Sequence, residues 1–318
     1  MDNTRIPKTA VLMAAYNKAA ILDICLDAIN KSDYKKYIDV YVVDNGSVEN
    51  IHAITEKHHV HYIRLEKNVY VSRALNELYE HFDIGKTHKY AVFMGNDAMV
   101  DNRTFCEMAL FLETHKDVGV TGPVHYEWNS KIARSRGLTI DPITSLLVNF
   151  MDDKPEYRMN HFHSMYMIRT EAFNRVKGFD HILFPMIFEE PDIGERIRKH
   201  GYDVRCSMKS NIWHPIELET KKEEVTSIKV RQDRLYSNKP KAYLFFRNRI
   251  IYMSLYSSIW QFILFLFVFN PMIFLYYLPT IKTEDRQYAL SGMWHGFVFA
   301  ISRNRDFIRK KNKEVLDI

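Results

Sequence analysis

The chain reads as an α/β protein, a mostly parallel sheet flanked by helices, with a C-terminal hydrophobic helical segment appended. Three observations predict this. Continuous apolar runs of strand length alternate with stretches of helical spacing, the pattern of parallel strands buried on both faces. Each run ends at a short polar station, where open α/β sheets place their ligands. Charge then disappears from the sequence between Ile250 and Leu278.

The first strand is expected over Ala10–Ala15, ending at Tyr16-Asn17, and a helix over Ala20–Ile29, with Ile21, Ile24, Cys25 and Ala28 on one stripe. A second strand covers Ile38–Val43 and stops at the turn residues Asn45-Gly46-Ser47. A short helix over Ile51–Lys57, a strand over His61–Leu65, a helix over Ser72–His81 and a strand over Tyr90–Met94 follow. Beyond Asp97 the rhythm loosens. Thr104–Thr114 reads as a helix and Val118–Val120 as a short strand, whereas Trp128–Asp153 has no clear period. A helix is expected over Asp192–His200, closed by Gly201.

Composition narrows the classes. With 318 residues, 47% hydrophobic and 26% charged, the chain supports one large domain plus an appendage. A net charge of +5 is too small to argue for nucleic acid, and no nucleic-acid-binding motif accompanies it. Cys25, Cys106 and Cys206 form no CxxC pair, which leaves reduced thiols in a cytosolic compartment. The polar start, Met1–Lys8, has no apolar core of a secretory signal.

The uncharged run Ile250–Leu278 exceeds the roughly 20 residues a bilayer core requires. Asn270-Pro271 is expected to split it, giving an interfacial hairpin rather than a single span. Arg247 and Arg249 before it, and Arg303 to Lys313 after it, suit an anionic membrane face. The domains are therefore expected at 1–240, with a nucleotide half 1–100 and an acceptor half 101–220, and at 241–318.

Four stations carry chemistry. Asp44 follows a buried strand, where it reads a base edge or simply caps a turn. Arg73 falls in the first turn of a helix, where positive charge is disfavoured unless a phosphate or base partners it; it either meets such a partner or is simply solvated. Asp97 ends a strand and suits a hard divalent cation shared with substrate phosphates; His214 adds an imidazole that favours Mn²⁺. Glu189, Glu190 and Asp192 place three acids before a helix, where they either complement its dipole or, by crowding, raise one carboxylate to the range of a proton acceptor.

Taken in order, these segments resemble GT-A fold glycosyltransferases of family 2, in particular the rhamnosyltransferase-like branch. The resemblance rests on Thr9–Asn17, on Val42–Ser47, on Asn68–Asn76 and on Phe93–Asp97 in the place of a DxD motif. It continues through Gly178-Phe179-Asp180, Phe188–Ile193 and the late His214. It implies an inverting transfer from a UDP- or dTDP-sugar to a glycan or lipid-linked acceptor, at the cytoplasmic face of a membrane, in surface polysaccharide synthesis. Glu190 would be the catalytic base, with Glu189 and Asp192 on the acceptor. Ala15, Tyr16, Asn17, Asp44, Asn45, Asn68, Arg73 and Asn96 would bind the nucleotide sugar. Asp97 and His214 would hold Mn²⁺ or Mg²⁺; nucleic acid is not a partner, and a homodimer is left open. Three departures stand out: Gly95 in the DxD-like triplet, Glu190 where Asp is usual, and Tyr70 where many relatives carry Gly. The alternatives are a catalytically inactive nucleotide-sugar-binding scaffold and, further off, a sugar nucleotidyltransferase.

Overall fold

The computed structural model describes residues 7–127, 132–152, 154, 158–213 and 238–318. These divide into two compact units. The first takes the described residues up to Thr139, then Asn149 to Phe179 and Ile193 to Trp213. The second takes Ile140 to Val148, Asp180 to Asp192 and residues 238–318.

The first unit opens as the periodicity predicts: β1 (Thr9–Ala15), α1 (Ala19–Asn30), β2 (Ile38–Asp44), α2 (Ile51–Lys57), β3 (His61–Arg64), α3 (Val71–His81), a short α4 (Ile84–Thr87) and β4 (Tyr90–Gly95). These four strands pair in parallel in the order β3-β2-β1-β4. The order reverses beside β1, which makes the carboxyl ends of β1, β2 and β4 the expected ligand edge. Successive side chains explain the unbroken apolar runs. On β1, Val11 and Met13 enter one core with Leu22, Cys25 and Ile29 of α1, while Ala10 and Leu12 enter a second with Leu75 and Leu78 of α3. A strand buried on both faces has no polar side to show.

The sheet continues through β5 (Met99–Val100), α5 (Thr104–Thr114), β6 (Val118–Tyr126), β7 (Ala133–Ser135), β10 (Met165–Arg169), α6 (Thr170–Arg175) and β11 (Asp203–Trp213). β10 lies antiparallel between β4 and β6, and β11 runs parallel to β6. The short strand read at Val118 extends to Tyr126, its last two residues only half-buried. The stretch after Trp128 includes β7, β8 (Leu138–Ile140) and β9 (Leu147–Asn149), each three residues long, too short to print a period. α7 (Glu189–Lys199) starts three residues earlier than expected and takes the whole acidic block into its first turn. Gly201, at φ 87°, closes it.

The second unit is helical: α8 (Lys239–Tyr256), α9 (Ile259–Thr280), α10 (Arg286–Ser302) and α11 (Arg305–Leu316). Two expectations are corrected here. Asn270-Pro271 does not split the apolar run. A π-helical turn, Phe265–Phe269, precedes the proline and loosens the ladder where its ring and missing N–H would break an α-helix, so α9 passes straight through. Arg247 and Arg249 are not surface charges flanking that run; both are buried in the unit's core.

Within the first unit, Gly194 brings α7 onto the chain at Asn160. A Cβ there would stand 1.8 Å from the Asn160 carbonyl oxygen. Arg158 and Asn160 also bond Glu195, at 2.9 and 3.2 Å. Gly194→Ala is therefore expected to destabilise by about 3 kcal/mol or more, measured by urea unfolding, because backbone rather than a mobile side chain must give way.

Candidate functional site

At the carboxyl edge of the first unit, pairing sets Ala15 beside Asp44 and Ala14 beside Gly95. The loops beyond these strands are tied to one another. Asn45 N–H donates to the Ala15 carbonyl at 2.8 Å, Asn17 N–H to Ser47 Oγ at 2.8 Å, and Val48 N–H to Asn17 Oδ1 at 3.0 Å. Asn45 Nδ2 donates to Asn68 Oδ1 at 3.1 Å, and its Oδ1 accepts from Val69 N–H at 2.9 Å. Tyr16 stands half-exposed beside this network. Ala15, Tyr16, Asn17, Asp44, Asn45 and Asn68, spread over more than fifty positions, thus share one edge.

Asp44 is fully buried. Its Oδ1 accepts from Ser47 N–H at 2.8 Å, and its Oδ2 from Arg64 at 2.5 Å and Tyr62 OH at 3.2 Å. Three donors occupy most of a carboxylate's lone pairs, so its visible work is to lock the Asn45–Ser47 turn. Arg64 completes the lock by donating to the Ser47 carbonyl at 2.7 Å. Both Arg64 and Tyr62 escaped sequence reasoning, since a strand-edge arginine has no local signal. Gly46 sits at φ 77°, with backbone of Lys67 2.6 Å from where a Cβ would be.

Tyr70 adopts φ 64°, ψ 166°, a region that only glycine enters freely. The departure at this position thus retains a glycine's backbone, at about 1–3 kcal/mol. Arg73 is exposed and pairs with Glu77 one turn on, Nε to Oε1 2.7 Å, which supplies the anion its helix position wants. Asn76, not singled out from sequence, exchanges hydrogen bonds with the Phe179 backbone at 2.9 and 3.0 Å.

Asn96 and Asp97 follow β4. Asn96 Nδ2 is buried with no hydrogen-bond partner among the described residues. Such a donor costs about 1–3 kcal/mol unless a ligand takes it. The Asp97 carboxylate lies 3.6 Å from Lys18 Nζ. A Cβ on Gly95 would sit 2.9 Å from Asp97 Oδ1, so the glycine in the triplet is the space this carboxylate occupies. Burial, and then the Asp97 charge, push the Cys25 thiol up to about 12, leaving it inert. His214 lies outside the described residues. Among those described, no group of three or more His, Cys, Asp or Glu gathers into a metal cage. One carboxylate beside an unpaired amide donor nevertheless fits a divalent cation held jointly with substrate phosphates.

The second unit holds Glu189, Glu190 and Asp192. Ile187 and Phe188, just before them, both have positive φ, 64° and 75°. A β-branched residue there is strained. The strain is held by α8: Asn248 Nδ2 donates to the carbonyls of Met186 and Ile187 at 2.8 and 2.7 Å, and Arg247 Nη2 to that of Leu183 at 2.7 Å. Tyr256 OH donates to Asp192 Oδ1 at 2.6 Å. Arg305 grips Asp180 with both nitrogens, at 2.6 and 2.8 Å. Burial, reinforced by the Asp192 charge, raises Glu189 to about 7; burial and the Glu189 charge hold Glu190 well above the usual carboxylate range. Glu189 Oε2 is buried with no hydrogen-bond partner among the described residues.

The family model described as Glycosyl transferase family 2 matches residues 10–183. No curated protein matches the chain. Solved structures do. PcManGT, a mannosyltransferase from Pyrobaculum calidifontis in complex with GDP-Man and Mn²⁺, has a TM-score of 0.57 at 13% identity, covering 95% of this chain and 89% of its own. S. aureus TarS 1-349 in complex with UDP-GlcNAc has a TM-score of 0.51 at 13% identity, covering 95% and 89%. GalNAc-T7 with UDP, GalNAc and Mn²⁺ has a TM-score of 0.56 at 13% identity, covering 89% and 59%. At such identity these likenesses speak to fold, and the fold is GT-A.

Two predictions follow the geometry of the acid block. Asn248→Ala leaves two part-buried carbonyls without this donor and frees the strained turn; stability in urea is expected to fall by about 2 kcal/mol. A carboxyl raised in the folded state binds protons that the unfolded chain releases, so Glu189 stabilises below its ordinary 4.5 and that contribution is lost as pH rises to about 7. Melting temperature should therefore decline more steeply across this window in the parent than in Glu189→Gln.

Proposed function

Since the chain belongs to glycosyl transferase family 2, we propose that it transfers a sugar from a nucleotide diphosphate donor to a glycan or lipid-linked acceptor, with inversion. The observation that carries this reading is the buried Asn96 Nδ2, without a partner among the described residues, beside Asp97 at the edge where the strand order reverses. An orphan donor next to a carboxylate is what a diphosphate and its counter-ion would complete.

On this reading the Asn17, Asn45 and Asn68 loops and Tyr16 cradle the nucleoside, with Asp44 fixing their shape. Arg73 belongs to the same donor side, exchanging its Glu77 partner for phosphate. A bound divalent cation, Mn²⁺ or Mg²⁺, would be held by Asp97 and His214 and would neutralise charge on the leaving diphosphate. Asn96 donates to the donor, and Lys18 offers further positive charge near Asp97. Glu190 accepts the acceptor hydroxyl's proton as that oxygen bonds to the anomeric carbon; the bond from that carbon to the phosphate oxygen breaks, and the nucleotide diphosphate leaves with the electron pair. Its raised affinity for protons makes its ionised form a stronger proton acceptor than an ordinary carboxylate. Glu189 and Asp192 orient the acceptor. UDP- or dTDP-sugars are the expected donors, a deoxyhexose among them if the rhamnosyltransferase likeness extends to specificity. The apolar helix α9, 17% buried over its most apolar stretch, supports work at a membrane; the cytoplasmic face and surface polysaccharide synthesis are what the family resemblance adds.

A donor panel of UDP- and dTDP-sugars, with and without Mn²⁺, tests the reading through release of nucleotide. Metal-dependent release is expected with at least one donor; tight donor binding with no turnover would make the chain an inactive scaffold. Glu190→Gln should lower kcat by about a hundredfold or more with donor affinity nearly unchanged. Asp97→Asn should weaken donor binding only when metal is present. Unaltered turnover in Glu190→Gln removes that residue from its role.

A further inference from the structure

One face of α9 is apolar and exposed along its length. Trp260, Phe267, Met272 and Leu275 are each more than half exposed, whereas Phe265 and Ile273 are buried in the unit's core. On the inner side the Phe274 ring lies 5.5 Å from Phe246, and Tyr277 5.2 Å from Phe245, both of α8. The π turn keeps these faces apart. Each helical residue advances about 100°, and one extra residue in the Phe265–Phe269 turn offsets the drift between the two halves of the stripe. Exposed apolar residues therefore follow one side from Ile259 to Tyr276, roughly 26 Å.

We infer that α9 lies in the plane of a membrane, with its outer face sunk into one leaflet, and does not cross the bilayer. This deepens the membrane-face location proposed above and rests on that part of the reading, though not on the transfer chemistry. A spanning helix needs lipid or membrane protein on every side over about 30 Å. The inner face of α9 instead packs on α8, whose Arg247 and Arg249 are buried in hydrogen bonds to Leu183 and Ser145. The same core takes Ile308 of α11, a helix that exposes Arg309, Lys310 and Lys313. Threading α9 through hydrocarbon would carry these charges with it.

The face also fits lipid better than a second copy of the chain. Protein interfaces carry about one hydrogen bond per 100–200 Å². Between Trp260 and Tyr276 the exposed side chains of α9 offer no polar group; Asn270, the one amide near its centre, is buried. The only donors on that face, an indole and a phenol, stand at its two ends, as side chains at a headgroup boundary do. Lys282 is exposed just beyond.

The full chain, with Cys106→Ala removing the half-buried thiol, is mixed with sealed vesicles of phosphatidylcholine and phosphatidylglycerol after introducing Ser257→Cys or Thr283→Cys. In-plane docking makes both ends react with a membrane-impermeant maleimide from outside without detergent; protection of one end alone would establish a span and overturn the inference. Phe267→Glu, at an exposed position, should weaken vesicle flotation at least about tenfold with an unchanged melting temperature. Failure of the parent to float, or a Phe267→Glu-sensitive dimer in sedimentation without lipid, also overturns it. Inactivity on every sugar donor with flotation intact would sink the transferase reading and leave this one standing.

Discussion

The acid block depends on a buried pair, Arg247 and Asn248, that has no chemistry of its own. Asn248 spends its amide on the carbonyls of Met186 and Ile187, and Arg247 reaches Leu183 and Asn312 while lying over the Tyr243 ring. Those carbonyls belong to the segment that must bend through two positive φ values before α7 begins. Strain of this kind persists only where the surroundings over-determine it. The consequence is chemical. Glu189, Glu190 and Asp192 enter the first turn of α7 crowded and partly desolvated, and two of them hold protons more tightly than free carboxylates do. Tyr256 takes the third in hand, so α8 supports both ends of the block.

The first unit solves its problem differently. There the site edge is assembled from side-chain amides bridging loops: Asn17 to Val48, Asn45 to Val69 and to Asn68. Asparagine suits this work because it donates and accepts at once and tolerates turn geometry. The one carboxylate in the network, Asp44, is saturated by Ser47, Tyr62 and Arg64. What the network leaves over is Asn96 Nδ2, which has no partner among the described residues; next to it stands Asp97, whose room is made by Gly95 and which lies near Lys18. Loops tied to one another by side-chain amides hold these two side chains at a fixed edge of the sheet.

The sequence made β1, β2 and β4 legible because both faces of each are buried, so apolar runs map directly onto strand ends. The polar stations were legible for the same reason: Ala15, Asp44 and Gly95 fall on adjacent registers. The strands after Trp128 were not, since three residues are too few to show a period. Nor could local sequence reveal that Arg64 locks Asp44, or that Arg247 turns inward; both depend on partners twenty to sixty-five positions away. Asn270-Pro271 misled for a different reason. Proline forbids a regular α-helix, but a π turn ahead of it satisfies the same sequence without a break.

That π turn ties the two properties of the C-terminal unit together. In an uninterrupted α-helix Phe265 and Ile273 would point about 80° apart, as would Phe267 and Leu275; the extra residue brings each pair close to one line, the first in the unit's core and the second exposed. Packing of the inner face steadies α8, whose Arg247 and Asn248 hold the segment before the acids. The outer face is thereby left apolar in a continuous line. One apolar run thus does two jobs, divided by face rather than by position: the inner side packs on the helix that holds the acid cluster, and the outer side is left for lipid.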